Sequence, residues 1–490
     1  MNTSSSLKEK SNATEVVSSN VQSPNELIDF SKEEERAVVR KIDLWVLPVM
    51  CLIFFTQYLD KQIVAYTVVV GLREDLGLSG SQYSWLASAF SIAQLVSQIW
   101  NSYALSKFPI KIVTGVSVFL WGATCICTAA PKNFEGFIAL RTILGFFEGA
   151  VSPAFVIITS VYYKKSEHAL RTACWISCNA LAQVLGNFLV YGVSKNDNLD
   201  IAIWRVVFLI CGGLTIFMGV IFMLVIPLSP GEARFLSERE RHIAVNRILA
   251  ENDRGERTSF NFKQMLSSLK LDYYTICSFL FGFLVTVTSG PIIFSSLIIS
   301  EMGYTGTKVL EFGAPSGAVQ LGIIWLGVVL TTFFPKERCI SVMCLALVPL
   351  VGTILLLALP ETNPWGRIVA SWLGSCITSI MSILLSLNAS NTRGNTRKSL
   401  INNIFFFGYS LAAIIYPQWW NYTRDPNFRA GLIANICFWA FFEALVLSYR
   451  FVCISENKKR DIIAEKGEIP DYDLTLDLTD REDMYHRYSY

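Results

Sequence analysis

Charge is scarce in this chain. Only 16% of its 490 residues are Asp, Glu, Lys or Arg, against about 25% in soluble domains, while 52% are hydrophobic and the mean hydropathy is +0.43. A water-soluble fold could not hide that much apolar surface, so membrane-crossing helices are expected. Neither sign of charge dominates: the formal net charge is +2, which offers nucleic acid no footing. Histidine is rarer still. His168, His242 and His486 all lie outside the apolar segments, so a proton relay within the membrane would have to use carboxylates. The 12 cysteines are scattered through apolar segments with no CxxC pair and no histidine at metal spacing, and read as small buried hydrophobes. A nucleophile motif, a metal cluster and a phosphate-binding glycine loop are all missing, which excludes the common enzyme classes. No cofactor and no metal are expected.

Long apolar runs are what the chain does have. Residues 1–35 are polar and rich in Ser and Asn, without the pattern of a signal peptide, and residues 1–40 are expected to be disordered. Runs of the length a roughly 30 Å hydrocarbon core demands lie near 44–69, 83–105, 112–130, 134–161, 172–193 and 203–226. They resume near 272–299, 311–333, 340–359, 365–389, 400–419 and 429–452. The expected fold is therefore an all-α membrane protein of twelve transmembrane helices in two six-helix bundles, 41–226 and 272–452. Weak parallel repetition supports the division: span four opens with Arg141 and span ten with Arg367, and basic, polar loops follow both. Glu148 has no counterpart, since Gly374 stands at the equivalent offset.

Basic residues set the orientation. Short loops on the N-terminal side hold Lys107, Lys111, Lys164, Lys165, Arg171, Lys336, Arg338, Arg393, Arg397 and Lys398, against Arg73, Lys132, Lys195, Lys308 and Arg424 on the other. Both termini, including the tail 453–490, are expected in the cytoplasm. The linker 227–271 contains LSERERHIAVNRIL, in which Ser237 and Glu240 form a capping box and Ile243, Ile248 and Leu249 one apolar stripe. A short amphipathic surface helix is expected there, with its charges as a solvated face.

Four charges interrupt the apolar helices: Asp60 and Lys61 in span one, Arg141 and Glu148 in span four. Each costs about 2.5 to 3.5 kcal/mol at the bilayer centre on insertion scales. At 1.5 Å per residue Asp60 and Arg141 come out nearly level in the outer half, and Glu148 lies about 10.5 Å deeper on the Arg141 face. The expectation is one outer cluster of Asp60, Lys61 and Arg141, with Glu148 alone near the midplane; static pairing as structural glue is the alternative. Gly145 and Gly149 would admit a neighbouring helix closely, and Pro153 permits a bend. Tyr58 could add a hydroxyl. Asn179 and Gln183 in span five, Gln320 in span eight, and Asn388, Asn391, Asn402 and Asn403 around spans ten and eleven could contact substrate or bond across helices. Glu443 in span twelve has no evident partner.

The stretch RTILGFFEGAVSPAF at 141–155 resembles the fourth-helix signature of the anion:cation symporter branch of the major facilitator superfamily. With DKQIVAYTVVVGLREDLGLSGSQYSW at 60–85, and further segments such as KFPIKIVTGVSVFLWG at 107–122, SVYYKKSEHALRTACWISCNALAQ at 160–183 and PSGAVQ at 315–320, the chain resembles the fungal allantoate permease family. That resemblance implies a proton-coupled importer of small organic anions, carboxylates such as allantoate, ureidosuccinate or vitamin acids. It implies Asp60 and Glu148 as proton carriers and Lys61 and Arg141 as anion ligands. Where the branch has Arg after the first-helix Asp, this chain has Lys61, a point charge rather than a fork. The resemblance favours the plasma membrane. A monomer with the bilayer and a small organic anion as partners is expected, with the proton as coupling ion. A nutrient sensor of transporter fold is the rival, disfavoured by the short tail.

Overall fold

Helices occupy every one of the twelve expected positions. The computed structural model describes residues 30–196, 200–252, 272–393, 395–420, 428–466 and 479–490. Ten helices among them are long and apolar enough to cross a membrane: Ile110–Cys127, Phe134–Tyr162, Leu170–Ser194, Ile203–Val225, Tyr273–Ile293, Thr307–Phe333, Arg338–Ala358, Pro364–Asn391, Leu400–Gln418 and Arg429–Glu465. These are spans three to twelve. Spans one and two, Lys32–Thr67 and Gly80–Lys107, are long enough but more polar, because they carry Gln57, Tyr58, Asp60, Lys61 and Gln62, and Ser88, Ser91 and Gln94, toward the interior. Large side chains such as Leu224, Phe217 and Phe333 stand exposed around the outside, as a lipid-facing belt requires.

Spans one, three, five and six interlock, as do two and four, seven and eleven, and nine with ten and twelve. The two halves meet mainly where span five packs on span eight and span two on span eleven. On the side away from the termini the halves are tied by hydrogen bonds. Tyr83 Oη donates to the Ile293 carbonyl at 3.3 Å, Ser88 Oγ to the Ile414 carbonyl at 2.8 Å, and Gln418 Nε2 to Ser88 Oγ at 2.8 Å. Beside them Tyr83 meets Phe294 edge-on, and Phe294 stacks on Trp420.

Span four is broken. It consists of Phe134–Glu148 and Val151–Tyr162, interrupted at Gly149–Ala150, where a continuous helix bent at Pro153 was expected. Pro153 has no N–H to give the Gly149 carbonyl, so the helix cannot run through without an unpaired acceptor. Span ten breaks at the same offset, between Pro364–Gly374 and Thr378–Asn391. The internal repeat therefore shows in helix geometry as well as in loop charges. Gly145 and Gly149 do admit span two: a Cβ on either would collide with the Phe90 carbonyl or with Ser97 Oγ.

On the face carrying the termini, order extends further than the sequence suggested. Span one begins at Lys32, inside the stretch expected to be disordered, because Ser31 and Glu34 form a reciprocal capping box. The linker helix forms at Glu238–Asn252 with its Ser237–Glu240 cap. Its charges are a solvated face only in part, which corrects the expectation. Arg247 is fully buried and pairs with Glu35 at 3.1 Å and Glu167 at 2.6 Å, Glu240 takes Lys41 at 2.6 Å, and Arg239 reaches Glu34. Leu249 and residues 253–271 fall outside what can be described of side chains or backbone. At the other end, span twelve runs on as helix to Glu465. Residues 479–490 then return to the second half: Arg397 pairs with Asp480 at 2.6 Å and Asp272 at 2.9 Å, Tyr488 stacks on Tyr274, and Ser489 and Asn391 exchange two hydrogen bonds.

Candidate functional site

A cavity of about 180 Å³ lies between the two halves. Spans one, two, four and five contribute Tyr58, Lys61, Gln62, Phe90, Gln94, Arg141 and Asn179; spans seven, ten and eleven contribute Thr286, Ser289, Thr378, Met381 and Tyr409. Among the described residues, its wall contains two cations and no carboxylate.

The charged residues are arranged differently from the expected outer cluster. Lys61 does not join Asp60; its Nζ lies 3.1 Å from Glu148 Oε1, with the lysine 24% exposed toward the cavity and the glutamate fully buried. Side chains on a helix lean toward its N-terminus. Span one starts at the terminal face, so Lys61 leans down to the depth of Glu148, while Asp60, about 100° around the helix, points elsewhere. The Asp60 carboxylate faces the interior of the first half, accepting from Cys125 Sγ at 3.6 Å and Thr215 Oγ1 at 3.4 Å. It is fully buried and does not line the cavity.

Arg141 bridges the two environments. Its Nη1 donates to the Asp60 backbone carbonyl at 3.2 Å, and its buried Nε has no partner. The guanidinium lies 5.2 Å from the centre of the Phe90 ring, and Lys61 Nζ lies 5.7 Å from the same ring. One aromatic face thus steadies both cations. Such a pair of cations, one with an unused donor, suits a carboxylate.

The weaker candidates divide. Tyr58 Oη accepts from Gln62 Nε2 at 3.2 Å and Gln183 Nε2 at 3.1 Å, so Gln183 acts behind the wall by orienting Tyr58. Asn179 reaches the cavity with its Oδ1 unpaired. Gln320 does not reach it: Nε2 donates to Thr378 Oγ1 at 2.6 Å and to the Ser375 carbonyl at 3.4 Å, satisfying the break in span ten. Asn388 bonds Ser278 and Asn391 bonds Tyr449, both across helices. Asn402 is half-buried and outside the wall. The sequence reading missed Phe90, Thr286, Thr378 and Tyr409. Only Gln62 carried a signal, one turn after Tyr58 and beside the charges; an aromatic or hydroxyl residue in an apolar run has none.

The chain matches the family model described as Major Facilitator Superfamily over residues 50–417. This chain belongs to the major facilitator superfamily. Its secondary-transporter fold accounts for the cavity between two six-helix bundles, and the protein is a transporter rather than an enzyme. Among similar sequences is an uncharacterized transporter of Schizosaccharomyces pombe, 35% identical, with 94% of this chain and 87% of that protein covered. Another is the allantoate permease of Saccharomyces cerevisiae, 31% identical, with 94% of this chain and 88% of that protein covered. Of solved structures, the proton:xylose symporter XylE gives a TM-score of 0.63 at 13% identity, covering 84% of this chain and 96% of that one. An inward-facing bacterial homologue of the lysosomal transporter Spinster gives 0.61 at 14% identity, covering 85% and 97%. These two share the fold.

Proposed function

We propose that this major facilitator protein is a proton-coupled symporter that imports a small organic anion carrying a carboxylate. The observation that carries this reading is the position of Lys61, shared between the cavity it lines and the buried Glu148 it pairs with. With no acid in the cavity wall, an anion meets only Lys61 and Arg141. While Glu148 is ionised, Lys61 is held by it. A proton on Glu148 releases the ammonium to the substrate, so proton and anion favour each other without leaving a bare charge in the membrane. Arg141 supplies its unused Nε–H as a directional contact. Asp60, isolated behind Cys125 and Thr215, is a second proton carrier, linked to the cavity through the Arg141 bond to its backbone carbonyl.

The likeness to the allantoate permease supports a carboxylate of that size class. The excess of basic residues in the loops of the terminal face supports a cytoplasmic side there, and the two bundles, 41–226 and 272–452, are read as rocking about the cavity of a monomer. The plasma membrane suits an importer. Each positive charge moving inward across 100 mV gains about 2.3 kcal/mol, enough to accumulate an anion when more protons than negative charges enter.

Uptake of labelled carboxylates in a transporter-deficient cell, with and without a proton uncoupler, tests the proposal. Concentrative uptake should collapse with the uncoupler. Glu148→Gln should abolish accumulation while retaining substrate exchange; undiminished accumulation in that variant would remove Glu148 from coupling. Binding without any flux would turn the reading toward a sensor.

A further inference from the structure

Span twelve presents a row of polar groups that the second half leaves unsatisfied. Asn435 is 2% exposed and Trp439 0%, yet both amide atoms of Asn435 and the indole Nε1 of Trp439 lack hydrogen-bond partners. One turn further, Glu443 has a buried Oε1 in the same condition. Residues 435, 439 and 443 rise along one flank of the helix.

The row turns from the Phe442 face at Asn435 toward the Arg450 face at Glu443, along the groove between spans seven and nine. Phe442 and Tyr449 pack against Phe281 of span seven, the Arg450–Glu337 pair reaches span nine, and these two spans are the principal neighbours of span twelve. The Arg450–Glu337 ion pair at 3.0 Å sets the register. Counting outward from it, Glu443 lies about 10.5 Å along span twelve and Leu345 about 12 Å along span nine. Pro349 within span nine denies the Leu345 carbonyl its helical donor. Glu443, Trp439, Asn435 and that carbonyl therefore share one seam.

We infer that this seam is a proton-binding site: a short file of water held by Asn435 and Trp439 ends on the carboxyl of Glu443, which carries the proton. Buried polar groups of this kind are satisfied by ordered water when protein supplies no partner. Among the described residues, the groups facing the seam leave the carboxyl no cation. Span nine brings the thiol Cys339, span seven brings Cys277 and Tyr274, and span twelve itself brings Tyr449 and Cys453; the charges Arg450 and Glu337 are paired with each other two turns away. The site is remote from Lys61 and Glu148 and owes nothing to the anion reading of the cavity.

Infrared spectroscopy of the purified full-length protein in lipid nanodiscs reads the site directly. A protonated-carboxyl band that shifts on transfer to heavy water should vanish in Glu443→Gln and persist, displaced, in Glu443→Asp. With the acid kept, the paired change Asn435→Leu and Trp439→Phe should leave the band in place and slow its shift in heavy water. A carboxyl spectrum unchanged in Glu443→Gln, with the variant folded as judged by thermal unfolding, would overturn the proton site. A shift equally fast in the paired variant would overturn the water file.

Discussion

The first half of this transporter keeps two cations and two acids inside the membrane, whereas the second half lines the same cavity with Thr286, Ser289, Thr378 and Tyr409. Yet the halves repeat one another down to the interruption of spans four and ten. The difference teaches that duplication of the fold does not carry duplication of the chemistry. Buried charge is tolerable only where opposite charge and hydrogen bonds compensate it. Gathering Asp60, Lys61, Arg141 and Glu148 in one bundle lets each offset another, while the second bundle lines the cavity with neutral groups.

The sharpest way to break this comparison is to treat repeat partners alike. Arg141→Ala should weaken carboxylate binding by about 2 to 5 kcal/mol, at least roughly thirtyfold, measured by calorimetry on purified protein. Arg367→Ala, at the matching place in span ten and outside the cavity wall, should leave affinity unchanged. Equal losses would mean that both halves hold the anion.

The clamps on the terminal face extend the contrast. Arg247→Ala frees the linker helix from Glu35 and Glu167; loss of a buried pair costs about 3 to 5 kcal/mol, and the partial exposure of both glutamates, 20% and 21%, places this one near the lower figure. Proteolysis in the linker should accelerate while substrate affinity stays the same. Phe90→Leu should have a smaller effect, about 1 kcal/mol or a roughly fivefold weaker affinity, by removing the ring that faces Lys61 and Arg141. Met381→Leu, on the opposite wall, should change affinity far less.

The smallest effect concerns the tail. Burial lowers the pKa of His486 to about 4 against the pull of Asp480, with Arg393 and Arg460 adding to the fall. A released histidine titrates near 6.5, so the detached tail binds the proton more readily. Docking is at full strength above about pH 6.5 and weakens as pH falls from there toward 4. Hydrogen exchange of residues 479–490 should quicken over that window, and His486→Ala should flatten the dependence.

Much of the fold was legible because a bilayer reduces the folding problem to length and hydropathy: runs of apolar residues at 112–130 or 340–359 have no other stable destination. The small-residue spacing of Gly145 and Gly149 likewise announced the approach of span two. The break after Glu148 was harder, since Pro153 licenses either a bend or an interruption and only packing chooses. The ion pairs of Arg239, Glu240 and Arg247 in the linker helix were illegible for the same reason. Glu35, Glu167 and Arg247 lie far apart in sequence, and nothing local marks them as neighbours.

By itself the sequence determined that this protein crosses a membrane many times and that Asp60, Lys61, Arg141 and Glu148 stand in apolar surroundings, because these depend on composition and on the rise of a helix. Which charges meet was decided only by tertiary structure. Depth along a helix follows from counting residues, but partners depend on the azimuth of each helix, on the lean of its side chains and on the reach of a lysine. Those turned Asp60 away from the cavity and brought Lys61 down to Glu148.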